Sequence, residues 1–342
     1  MGLLQLMVGK ILATGAFSAP VRRTSAWLTG SGSLVYTFGY ALALQWPISI
    51  WLAPAGALLN LAAFILLTWA EFGARENQEL SVLLAVLCLG MLLDLTMGLF
   101  AANPKVFFPA YIGPEDGVRL RMLRLARAAV IALSLLTLLY EGVASRADAQ
   151  RWAVRWGRIG MFLGTILMPM ILIAASLTSV PLKFLLAIPA NAVFAGTLVG
   201  LWLATRHACR LELWGWLLIA PSLAVGLAMG MYAFGGPLPS PAFLGAYNDI
   251  GRRLVRLGHA YLIILGLLSI LVSRELDRLY HLGWLERIGR PLLVVGGATT
   301  VVSILLYGVM DLQIRALSVG PALVVIATVL CIGPVEAKAW RD

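Results

Sequence analysis

Charge is scarce in this chain. Of 342 residues only 12% are Asp, Glu, Lys or Arg, while 61% are hydrophobic, whereas a soluble domain carries about 25% charged residues. A soluble enzyme or binding domain is therefore excluded, and a polytopic membrane protein is indicated. Acidic residues are the scarcer sign, 16 against 26 basic ones, for a net charge of +10. No basic and aromatic module accompanies that excess, so nucleic acid is excluded as a partner. Basic residues gathered at helix ends are instead what anionic lipids and the positive-inside rule produce. Cysteine is rare too: Cys88, Cys209 and Cys331 lie far apart without a CxxC or Cys/His spacing, which excludes a disulfide or zinc framework. With only three histidines, none paired at a spacing that would grip one metal or haem, no cofactor is required, though quinone and haem both stay open.

Long apolar runs are what the chain does have. A helix crosses a bilayer with about 20 apolar residues, and runs bounded by charge predict spans at about 80–101, 122–140, 157–178, 183–205, 213–234, 255–272, 290–311 and 316–333. Ahead of them, the uncharged stretch Thr24 to Ala70 contains Trp46, Pro47 and Pro54. It is too long for one span of ordinary tilt and reads as two helices joined by a tight turn. The expected total is ten. The first 23 residues are apolar around Lys10 and read as an interfacial segment lying on the membrane, not as a removed signal peptide.

An internal repeat organises these helices. Shifted by 132 residues, 97–136 aligns with 229–268 without a gap, and 14 of 40 positions are identical. The matches include Met97-Gly98 with Met229-Gly230, Pro109-Ala110 with Pro241-Ala242, and Arg121 and Arg124 with Arg253 and Arg256. The same offset relates Trp152, Arg155, Gly157 and Arg158 to Trp284, Arg287, Gly289 and Arg290, and Pro189-Ala190 to Pro321-Ala322. Each unit spans four helices, and an even number of crossings gives both units the same orientation, unlike an inverted repeat. The expected architecture is an all-α integral membrane protein of about ten transmembrane helices: a segment at 1–23, a hairpin at 24–71, parallel repeats at 79–205 and 211–333, and a tail at 334–342. With ten helices the basic residues divide 16 to 10 between the two sides, which predicts an inner-membrane protein with both termini cytoplasmic.

Ionisable groups inside a span are costly, usually paired and often functional. Asp94 lies about 10 Å before the end of its helix and Arg127 about 8 Å after the start of the next, so the two reach similar depth as a structural ion pair or a proton relay. Their equivalents in the second repeat are Gly226 and His259. His259 is read either as a neutral ring hydrogen-bonded to a neighbouring helix or as a site present in one repeat only. The rows Arg121, Arg124, Arg127 and Arg253, Arg256 either snorkel to lipid phosphate or line a pocket for an anionic head group or carboxylate. Asp94, Arg124, Arg127, Arg256 and His259 are thus the candidate substrate, quinone or lipid-binding residues. No catalytic or metal-ligating residue is assigned. Gly157, Gly160 and Gly164 read as a helix-packing stripe; Pro169, Pro189 and Pro321 as kinks; and Trp46, Trp51, Trp152, Trp284 and Trp340 as interfacial anchors.

The segment Arg256-Leu257-Gly258-His259-Ala260-Tyr261-Leu262, with Gly266 beyond it, resembles the His-bearing helices of the haem-copper oxidase subunit I superfamily. That family is also similar in being built of parallel four-helix units. The resemblance implies a place in an electron-transfer membrane. It does not carry over haem or copper ligation, because the family's paired histidines are reduced here to His259 and the matching helix has Arg127. By topology alone the chain also looks like quinone-interacting membrane anchors of respiratory complexes. The expectation is a non-catalytic or quinone-associated subunit with partner subunits and anionic lipids around it. The competing expectation is a secondary transporter with its site at the repeat interface.

Overall fold

Glycine, hydroxyl and proline positions decide how the apolar runs pack. The computed structural model describes residues 8–9, 11–12, 17–74, 78–113, 117–146, 151–233, 236–244, 249–278, 283–310 and 319–328. Its principal helices are α1 (Ala19–Ala43), α2 (Leu52–Ala74), α3 (Gln78–Ala102), α4 (Val118–Ala144), α5 (Arg151–Leu177), α6 (Ala187–His207), α7 (Arg210–Tyr232), α8 (Ile250–Arg278) and α9 (Gly283–Met310). Short 3-10 turns precede α2 at Pro47–Trp51 and α6 at Val180–Leu186. No strand occurs among the described residues.

Among the described residues, seven helical stretches are long and apolar enough to cross a bilayer: Pro47–Ala74, Gln78–Ala102, Val118–Ala144, Trp152–Leu177, Val180–His207, Arg210–Tyr232 and Ile250–Arg274. The chain is therefore an α-helical, multi-pass membrane protein. Within α9 the apolar stretch is shorter, Ile288–Ile304. α1 has the length, about 37 Å at 1.5 Å per residue, but its glycine and hydroxyl content keeps it out of the seven. Three of those hydroxyls, Thr29, Ser31 and Thr37, turn back on their own helix. Thr29 donates to the Ser25 carbonyl at 2.8 Å, Ser31 to Trp27 at 2.7 Å and Thr37 to Ser33 at 2.8 Å, which satisfies them without water.

The chain divides into two compact units, one of residues 1–138 and 161–190, the other of 139–160 and 191–342. In the first unit α1 and α2 touch backbone to backbone. A Cβ on Gly56 would collide with the Tyr36 main chain, and one on Gly39 would stand 2.6 Å from Ala53 N, so these positions admit no side chain. Tyr36, Ala53 and Ala57 fill the seam with Leu95 of α3 against them, and Gly98 of α3 lies against Pro54. α4 then meets the second half of α5 through Thr137 and Thr165, whose hydroxyls are 2.7 Å apart and fully buried. Arg119 closes the far end of α5 by donating to the carbonyls of Ser176 at 2.9 Å and Thr178 at 3.2 Å, carbonyls a helix terminus leaves unpaired.

In the second unit Gly157 of α5 seats the Tyr140 ring of α4, and Gly160 approaches the Ala192 carbonyl of α6, so two members of the glycine stripe pack helices closely. Gly200 receives the fully buried Trp216, and Gly215 and Gly266 let α7 and α8 touch. Leu218, Leu265 and Val301 join α7, α8 and α9.

Pro169 does lie inside α5, as do Pro221 in α7 and Pro291 in α9, and Pro189 stands at the third residue of α6, just past the 3-10 turn Val180–Leu186. Arg22 and Arg23 belong to the start of α1, not to a segment preceding it, and Val8 and Ile11 are buried, 2% and 0% exposed. Trp46, Trp51 and Trp152 are exposed at 59%, 44% and 70%, as interfacial anchors would be. Lys10, Cys331, Trp340, the Trp284 side chain and the tail from 334 lie outside the described residues.

Candidate functional site

The first unit places its one deeply buried α3 carboxylate opposite the α4 arginine. Arg127 Nε stands 3.0 Å from Asp94 Oδ1, with the aspartate side chain 2% exposed and the arginine 35%. Arg127 Nη1 also donates to the Tyr36 hydroxyl at 3.2 Å, and the Tyr36 ring lies 5.1 Å from that of Tyr40. Three helices thus contribute to one polar cluster within apolar spans. Its charges neutralise one another, which is what makes an ionised pair tolerable at that depth.

In the second unit α7 and α8 build a different arrangement. The Ser222 hydroxyl donates to the His259 carbonyl at 2.8 Å and lies 3.0 Å from His259 Nδ1, which is itself 2.8 Å from the Ser222 carbonyl. Ser222 is fully buried. Gly226 supplies the room: a Cβ there would stand 2.7 Å from His259 Cε1.

A third cluster, which the sequence reading did not find, joins the ends of α4, α7 and α8 in the second unit. Glu212, with a side chain 0% exposed, receives Arg274 at 2.6 Å and Arg146 at 2.8 Å. Arg274 also donates to the Leu139 carbonyl at 2.7 Å, and Gly142 leaves space for its guanidinium. Beside it Glu141 takes a bidentate bond from Arg158 at 2.8 and 2.6 Å. Such forked pairs are the strong form of a charge-assisted bond.

Of the five candidate residues, then, Asp94 and Arg127 are brought together, while His259 is engaged by Ser222. Arg124 is exposed and Arg256 half-buried. The arginine rows do not share one face for long, because a step of three residues falls about 60° short of a full turn and drifts by about 120° over six. Arg127 therefore turns to Asp94 while Arg124 turns outward.

Family models, curated proteins and solved structures offer no match to this chain. Chemistry must be read from the side chains alone. Among the described residues no three of His, Cys, Asp and Glu converge as a metal centre. Cys88 lies 3.4 Å from the Thr68 hydroxyl and Cys209 2.7 Å from that of Ser273, and both are free thiols. These are packing contacts between neighbouring helices. The Ser222 hydroxyl lies 3.0 Å from His259 Nδ1 but donates to the His259 carbonyl, while Nδ1 faces the Ser222 carbonyl, so the ring is not set as its base.

Proposed function

We propose that the protein is a non-catalytic, quinone-associated integral subunit of a redox assembly in a bacterial-type inner membrane. In this reading it has ten crossings, a hairpin followed by two parallel four-helix repeats, and cytoplasmic termini. The observation that carries it is the state of the intramembrane polar groups. Asp94 is spent on Arg127, and Glu212 on two arginines, so the charges serve the fold and not a charged solute. His259 is instead held at one ring nitrogen by Ser222, as a contact for a neutral, membrane-dissolved ring would be. The resemblance of its helix to the haem-copper oxidase superfamily points to the same kind of membrane.

One helix boundary supports the repeat. α8 begins at Ile250, 132 residues after the start of α4 at Val118. The equivalent pairs Asp94 with Arg127 and Gly226 with His259 are also in contact within their own units.

Purification in mild detergent, followed by mass spectrometry of co-purifying proteins, solvent extraction of quinones and a visible spectrum, tests the proposal. Redox-protein partners together with extractable quinone are expected. A chain that purifies alone without quinone, yet catalyses solute uptake in proteoliposomes, would overturn it in favour of a secondary transporter.

A further inference from the structure

The contacts around His259 determine where its proton resides. A carbonyl oxygen only accepts, so the 2.8 Å approach of the Ser222 carbonyl to Nδ1 is a hydrogen bond only when Nδ1 carries the hydrogen. A bare nitrogen there would set two lone pairs against each other. The Ser222 hydroxyl agrees with this assignment. Its hydrogen goes to the His259 carbonyl at 2.8 Å, and its lone pairs are left facing Nδ1 at 3.0 Å. Serine and histidine thus brace each other in both directions.

At the position where the first unit has Asp94 beside Arg127, the second has Gly226, so no carboxylate from that position offsets a charge on the ring, and a neutral imidazole is the form an apolar span favours. With its single hydrogen on Nδ1, such a ring presents Nε2 as a pure acceptor. Gly226 lets the ring lie close against α7, and a Cβ at this position would crowd that edge, standing 2.7 Å from Cε1 and 3.3 Å from Nε2. His259 is the tenth residue of α8 and Ser222 the thirteenth of α7, which puts both roughly 14–18 Å along their helices at 1.5 Å per residue.

We propose that His259 Nε2 accepts the hydroxyl of a hydroquinone, so that the site takes the reduced form of a membrane quinone in preference to the oxidised form. This rests on the quinone-associated reading and adds the atom and the redox form. A benzoquinone carries carbonyl oxygens alone, which meet the Nε2 lone pair without a hydrogen between them. A site built around a hydrogen bond rejects the analogue that cannot make it. The held ring, with its hydrogen on Nδ1 and an acceptor at Nε2, fits a neutral hydrogen-bond donor.

The test uses the full chain in nanodiscs, with 15N-labelled histidine, stripped of endogenous quinone and kept anaerobic. Nitrogen NMR should show one protonated and one bare nitrogen for His259, assigned by their loss in His259→Gln. A short-chain benzohydroquinone should shift the bare nitrogen, and the matching benzoquinone should not. Ser222→Ala and Gly226→Ala should each weaken hydroquinone binding by about tenfold or more. Protonation at Nε2 in the unliganded protein, equal response to both redox forms, or a haem band lost in His259→Gln would each overturn the proposal, the last by placing iron at Nε2. Equal quinone in extracts of wild type and His259→Gln would leave the quinone-associated reading standing and remove His259 from it. No quinone and no redox partner in the wild-type preparation would defeat both.

Discussion

Breaking the Asp94–Arg127 pair from each side in turn should give unequal losses. The carboxylate is 2% exposed and the guanidinium 35%, so Arg127→Met strands a buried anion, while Asp94→Asn strands a cation whose long stem already reaches the surface. Removing one partner of a buried pair costs about 3–5 kcal/mol, and Arg127→Met belongs in that range. Asp94→Asn should cost less, about 2 kcal/mol, because the freed guanidinium keeps its Tyr36 bond and its long stem can carry the charge toward the membrane interface. The combination Asp94→Gly with Arg127→His installs the residues found at 226 and 259 and leaves no fixed charge behind. It should therefore recover about 2 kcal/mol relative to the sum of its two single changes. Equilibrium unfolding in mixed micelles, followed by helical circular dichroism, measures all of these. A double variant equal to the sum of the singles within about 0.5 kcal/mol, or a larger loss for Asp94→Asn than for Arg127→Met, would refute the account.

Three further outcomes follow from the packing. Glu212→Gln should lower stability by about 3–5 kcal/mol because it leaves the buried Arg274 without its anion, whereas Arg146→Ala, removing a guanidinium 38% exposed, should cost no more than about 1 kcal/mol; micellar unfolding of both checks the ratio. Gly157→Val should drive the start of α5 off the Tyr140 ring and cost about 1–3 kcal/mol, while Tyr140→Phe, losing the 2.9 Å bond to the Val154 carbonyl, should cost about 1 kcal/mol. Cysteines introduced beside Arg22, Arg151 and Arg287 should all resist a membrane-impermeant thiol reagent applied to intact cells, and labelling at the first site alone would show an odd number of crossings before α3.

Partners close in sequence and alike in depth were legible from the chain. Asp94 and Arg127 flank one loop, and charges stand out in an apolar run, so their meeting could be reasoned from rise per residue. Tyr36 could not be added to them, since a tyrosine in an uncharged stretch carries no comparable mark and its partner lies 91 residues away. The Glu212 cluster was missed for a different reason. Glu212 reads as a loop residue at the end of a basic segment, and only the fold shows that the helix begins at Arg210 and draws it inside. An acid in the first turn of one apolar helix with an arginine in the last turns of the next was the available signal. The ring contact of His259 was half visible: its neighbour helix was foreseen, but Ser222 and the clearance at Gly226 depend on which way each helix faces.

Sharing one carboxylate between two arginines also sets an order of events during synthesis. The chain emerges from its N-terminal end, so α7 arrives with Glu212 when Arg146 is already present and Arg274 has yet to be translated. The 2.8 Å contact to Arg146 is the one that can form first, with the half-exposed guanidinium escorting the acid to the membrane boundary. Arg274 then arrives on α8 and takes the inner face of the same carboxylate at 2.6 Å. A nascent chain ending after α7 would hold Glu212 by its outer partner alone, and it is the insertion of α8 that seals the acid away from water.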